Sequence, residues 1–197
     1  MIDLGPAARE IVGLLDGVSS ERMTDVTPCP GYSVGALLDH LTSLALAFTW
    51  AARKTPQEER LEDVSPPGGA TMEHLDPRWR EVLPERLDAL VEAWRDPAAW
   101  EGMTSVAGLT MPGEVVGVVV LDELVLHGWD LARATGQPYT CDPASAEAVL
   151  AFTGSTAQPG QEATREGLFG PVVAVPEDAP VFERALGFAG RDPAWRP

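Results

Sequence analysis

The stretch LDELVLHGWDLARA, beginning at Leu121, carries a carboxylate, Glu123, four residues before an imidazole, His127, inside one of the most apolar parts of the chain. On a helix, positions i and i+4 share a face, so the two side chains converge on one point. Val116, Val119, Val120, Asp130 and Ala134 fall on the same face at helical spacing, which sets the pair among apolar neighbours. An uncompensated buried carboxylate costs several kcal/mol, comparable with the whole net stability of a small domain. Three kinds of partner can compensate it: a metal ion, a protonated His127, or an arginine from elsewhere.

His40, in SVGALLDHLTSLALAFTWAARK, supplies a third polar group at the edge of an apolar stripe, beside the small residues Ala36, Ser43 and Ala47 that let a neighbouring helix approach. Two histidines and one carboxylate on facing helices make a three-ligand site with open positions, the donor set of catalytic zinc and of two-histidine-one-carboxylate iron(II) centres. Nickel(II) suits the same donors. From spacing alone, a metal site and a structural histidine–carboxylate pair both satisfy the pattern.

These residues need helices to position them, and the periodicity supplies them. Ala7, Ala8, Ile11, Leu14 and Leu15 follow Pro6 at helical spacing, with a stop at Gly17. Ser33 is a plausible N-cap for a long second helix ending near Lys54, whose stripe is Val34, Leu37, Leu38, Leu41, Leu44, Ala45 and Phe48. A charged, Pro- and Gly-rich segment, 55–77, reads as an exposed crossover loop. A third helix runs from about Trp79 to Trp94, and residues 95–114 read as an irregular connection. The valine-rich run from Glu114 stays apolar through Leu131 to Gly136, too long for a strand, so it is a fourth, largely buried helix. A fifth helix is expected over ASAEAVLAFTG, then a Pro/Gly-rich tail with room for one helix near VFERALGFAG.

The whole reads as an all-α four-helix bundle with long crossover connections: residues 1–157 form the bundle and its fifth helix, and 158–197 a short irregular C-terminal extension packed on it.

Acidic residues outnumber basic ones by 30 to 14, for a formal charge of −16, which argues against nucleic acid or an anionic membrane as partner; a small-molecule substrate is the expectation. No apolar run reaches the length of a membrane span, MIDLGPAARE lacks the pattern of a secretory signal, and the two cysteines, Cys29 and Cys141, form no CxxC pair. A cytoplasmic protein is expected. Exposed apolar helix faces leave room for a homodimer.

At the residues singled out above, the sequence resembles the actinobacterial family with a mycothiol-dependent maleylpyruvate isomerase metal-binding domain, within the DinB-like four-helix superfamily. TPCPGYSVGALLDHL, LDELVLHGWDLARATGQ and the closing GRDPAW carry the resemblance. It implies a DinB-like bundle, a divalent metal, usually zinc, held by His40, Glu123 and His127, and thiol-dependent transfer or isomerisation with mycothiol as cosubstrate. The tail does not match the isomerase's catalytic residues, so substrate and reaction do not carry over, and catalytic residues stay unassigned. The expectation is a metal-dependent enzyme using a low-molecular-weight thiol; the alternative is a non-catalytic metal- or small-molecule-binding helical module.

Other residues have two readings each. Asp130 either orients His127 as the acceptor for its second N–H or is an aspartate near a helix end. Asp39 and Asp122 precede their neighbouring histidine and glutamate by one residue, which turns them away and makes them solvated carboxylates. His74 is a fourth ligand only if its loop folds over the site, and otherwise an exposed histidine. Cys29 is either a thiol activated by a helix N-terminus or a small buried residue in a tight turn. Trp129 can wall a pocket, while the remaining tryptophans read as core and cap packing.

Overall fold

The computed structural model describes residues 1–60, 64–66, 68–165 and 167–197. The expected crossover loop and C-terminal extension include positions 61–63, 67 and 166, which lie outside the described residues.

Helix α1 (Gly5–Leu14) carries Pro6 in its first turn, where the missing N–H is no loss, and tightens into one 3-10 turn ending at Gly17. Helix α2 (Val34–Arg53) is capped by Ser33, whose Oγ accepts from the Ala36 N–H at 3.2 Å, and stops where Lys54 takes a left-handed φ of 52°. Helix α3 spans Trp79–Trp94 and the single turn α4 spans Pro97–Trp100.

The irregular connection expected over 95–114 is instead α4 and a hairpin, β1 (Met103–Val106) against β2 (Leu109–Pro112), antiparallel with Met103 opposite Pro112 and Val106 opposite Leu109. Its two-residue turn, Ala107 and Gly108, has positive φ at both positions (51° and 79°), the primed geometry that matches strand twist. Four-residue strands are too short to show alternation, and alanine does not announce a positive φ.

Helix α5 (Gly113–Thr135) follows directly and ends on left-handed Gly136. A side chain at Gly113 would put its Cβ 2.3 Å from the Ala99 carbonyl oxygen, so glycine is what lets α5 begin against α4. Helix α6 (Pro143–Thr156) is capped by Asp142, which accepts from the Ala144 and Ser145 N–H groups. The C-terminal extension is not wholly irregular: it holds the single turn α7 (Glu162–Arg165) and α8 (Val181–Phe188), which packs on α6.

Among the described residues, α1, α3, α2 and α5 close a ring in that order, each helix packing on the next and α5 back on α1. Sequence neighbours α1 and α2 thus stand across the ring from each other, and α2 lies beside α5. The centre is filled by fully buried leucines, among them Leu37, Leu38, Leu41, Leu83, Leu87, Leu90, Leu121 and Leu124, each contributing roughly 1.5–3 kcal/mol on burial. Helix α2 is long and apolar enough by composition to cross a membrane, but 83% of its most apolar window is buried in the bundle, as in a core helix.

Candidate metal centre

Three donors meet at the α2–α5 seam. His127 Nε2 lies 3.0 Å and His40 Nε2 3.3 Å from the same oxygen, Glu123 Oε2. All three ligand atoms lie within 4.8 Å of one another. The imidazole planes stand at 88° with centroids 4.8 Å apart. The side chains of His40 and Glu123 keep 18% and 23% of their exposure against 8% for His127, so the cluster opens toward solvent on the His40–Glu123 side.

The turn before α2 completes the walls. Gly31 takes a φ of 86°, Thr27 Oγ1 donates to the carbonyls of Cys29 and Tyr32, and the Tyr32 N–H donates to Cys29. This fold of TPCPGYS stacks Tyr32 on His40, centroids 5.2 Å apart, and sets it edge-on to His127 at 6.3 Å. Tyr32 was not among the residues the spacing singled out; its one signal is its place in the turn that leads into the His40 helix.

Behind His127 the arrangement is polar as well. Its Nδ1 lies 3.0 Å from Asp130 Oδ2, and Asp130 is fully buried. The orienting reading of Asp130 holds in this geometry. The same carboxylate takes both arms of Arg191, with Nη2 at 3.1 Å from Oδ2 and Nε at 3.5 Å from Oδ1. An arginine from elsewhere therefore does compensate a buried carboxylate of α5, but at Asp130 rather than at Glu123.

The electrostatics follow the contacts. Burial pushes the Glu123 carboxyl up, yet hydrogen bonds and charge from His127 and His40 prevail and hold it below the usual carboxylate range. Burial works against a charged His127, but Asp130 and Glu123 outweigh it and raise its pKa to about 9. Asp130 is likewise lowered, its burial overcome by Arg191 and His127.

Cys29, His127 and Asp130 form a second group whose donor atoms converge within the same distance. The two groups differ in what their donors are free to do. Burial, then the nearby Asp130 charge, pushes the Cys29 thiol up to about 12, and both Asp130 oxygens face Arg191. Of the two readings of Cys29, this shift and its place in the turn favour the small packed residue over the activated thiol. Among the described residues, no arginine or lysine forms an ion pair with Glu123, whose partners are His40 and His127.

Two other expectations are corrected. Asp39 is buried, with Oδ2 accepting from Ser65 Oγ at 2.7 Å and from the Thr71 N–H at 3.1 Å, so it ties the crossover loop to α2. Asp122 is buried too, its Oδ1 has no hydrogen-bond partner among the described residues, and desolvation, then the Glu123 charge, raises its pKa well above the ordinary value. His74 is exposed and joins neither donor group. Trp129 is a core residue with the Arg133 guanidinium 5.4 Å over its ring.

The model of the mycothiol maleylpyruvate isomerase N-terminal domain matches residues 4–132. The chain belongs to this family. The matched stretch holds Tyr32, His40, Glu123, His127 and Asp130 but stops short of Arg191. Comparison with curated proteins and with solved structures gives no match.

Proposed function

We propose that His40, Glu123 and His127 bind one divalent cation, most naturally zinc, and that this centre serves a reaction of a small molecule with a low-molecular-weight thiol of the mycothiol kind. The observation that carries the reading is the spacing of the three donors. Ligands at 2.0–2.2 Å from a tetrahedral zinc stand about 3.3 Å apart, and the two Glu123 contacts measure 3.0 and 3.3 Å. Two imidazole nitrogens and one carboxylate oxygen also form a donor set that leaves a position open in a four-coordinate site.

Bound there, the cation would supply Lewis acidity and favour the deprotonated form of a thiol or water. The chain's own residues do the rest. Glu123 brings the negative charge, and His40 and His127 present Nε2 toward it. Asp130 holds His127 by Nδ1, the partner that metal-bound imidazoles commonly have. Tyr32, stacked on His40, limits the motion of that ring and keeps one side of the cluster from water. The family's name supports the thiol as cosubstrate, and two unpaired cysteines together with the acidic composition suit a small substrate in a reducing cytoplasm.

The test is metal content. Protein purified without chelator, measured by inductively coupled plasma mass spectrometry, should carry about one divalent ion per chain. His40→Ala and His127→Ala should lose it while keeping the helical circular dichroism spectrum. Wild-type protein that takes up no zinc, nickel or iron(II) would leave the trio a hydrogen-bonded ion pair and end this reading. Zinc-loaded protein should then bind mycothiol in calorimetry, and chelator-treated protein should not.

A further inference from the structure

The GRDPAW segment lies beyond the family-matched residues and, among the described residues, makes no hydrogen bond or ion pair to the three donors, yet it reaches the back of His127 through a buried ion pair with Asp130. We propose that Arg191 is a positioning residue of the metal centre: by gripping Asp130 it fixes the His127 ring, so that docking of the C-terminal segment and metal binding favour each other. The inference rests on the metal reading above.

The geometry is that of a fork. Arg191 is 5% exposed and Asp130 fully buried, a setting in which either charge alone would be strongly disfavoured. Nη2 and Nε engage the two oxygens, and Nη1 donates to the Ala189 carbonyl at 3.0 Å, which fixes the plane of the guanidinium. A planar fork on a carboxylate sets direction as well as charge. Asp130 Oδ2, the oxygen that Nη2 contacts, is the one that faces His127 Nδ1. The position of the carboxylate, and with it the direction of His127 Nε2 toward Glu123, is thus set from the far side by a residue 61 positions away.

The rest of the segment delivers the arginine. Gly190 has a φ of 79°, and a Cβ there would come within 2.9 Å of the Gly170 carbonyl carbon, so two glycines cross backbone on backbone. The Arg191 N–H then returns to the Leu186 carbonyl of α8 at 2.8 Å. Asp192 Oδ1 accepts from the Ala194 N–H, turning the chain, and the Pro193 carbonyl accepts from Arg133 Nη2 at 2.7 Å. The segment is therefore clamped to α5 at Asp130 and again three residues on, at Arg133.

The experiment is a double-mutant cycle in zinc affinity, read by competition with a chromophoric chelator, on wild type, Arg191→Met, Asp130→Asn and the double variant, each checked for helicity. Each single variant is expected to lose about tenfold or more in affinity, as loss of an outer hydrogen-bond partner does, and the double variant no more than the larger single loss. A merely structural arginine would lower the melting temperature with zinc affinity unchanged, or its loss would multiply with that of Asp130→Asn; either result overturns the proposal. Should Arg191→Met fail to fold, Arg191→Lys enters the same cycle: it keeps the charge, cannot span both oxygens, and is expected to bind zinc severalfold more weakly only where Asp130 is intact. Wild-type protein without zinc affinity would overturn the metal reading and this inference together. Zinc-binding wild type with an indifferent Arg191 would overturn this inference alone.

Discussion

Helices α3 and α5 face each other across the ring and are both core helices, but they bury different chemistry. Helix α3 sends in Leu83, Leu87, Leu90 and Trp94, all 2% exposed or less. Polar contacts of α3 reach backbone carbonyls: Trp94 Nε1 donates to Phe48, and Arg80 and Arg86 on its flank donate to Val18 and Thr42. Helix α5 buries Val116, Val120, Leu121 and Leu124 in the same manner and then adds Asp122, His127 and Asp130. The apolar wall holds the bundle together, and the polar wall aims side chains. A change in the first should be felt as stability, and a change in the second as loss of aim or of an ion-pair partner.

The contrast can be broken at graded cost. Asp130→Ala strands the Arg191 guanidinium in the interior and should cost about 3–5 kcal/mol in chemical denaturation. Leu87→Ala, on the opposite wall, should cost about 2–5 kcal/mol through its cavity, while the folded fraction still takes up one metal ion per chain by mass spectrometry. A drop in metal stoichiometry there would show that the walls are not separable. Asp122→Ala sharpens the comparison within α5 itself, since Asp122 is as buried as His127 but leaves an oxygen without a partner. Removing it should shift stability by less than about 1 kcal/mol, because the desolvation it relieves offsets the contacts it loses. Outside both walls, Asp142→Ala removes the α6 cap and should cost about 1 kcal/mol in the same denaturation series, with zinc affinity unmoved.

What could be read in the sequence was what a single helix determines. Glu123 and His127 share a face because they are four apart, and small residues beside His40 mark where a neighbour approaches. Asp130, three residues past His127, fits in sequence either an orienting acceptor or an aspartate near a helix end. Asp39 and Asp122 are buried rather than solvated because turning about a hundred degrees from one neighbour is not turning toward water. Helix α2 is covered by α3, by α5 and by its own crossover loop, while α5 is covered by α1, α2 and α6. Arg191 was out of reach for another reason. Its partner lies 61 positions earlier on a different element, and no periodicity links a helix to the extension that packs on it.

The ring order has a consequence in time. His40 and Glu123 are 83 positions apart, and chains grow at about 5–20 residues per second, so the second half of the cluster is synthesised roughly 4–17 s after the first. Arg191 follows Asp130 by a further interval of roughly 3–12 s at that rate. A bundle that folds as it is synthesised would therefore gather its donors while Asp130 still awaits its cation. On the metal reading proposed above, an ion captured in that interval would be held more weakly than one captured after Arg191 has reached Asp130.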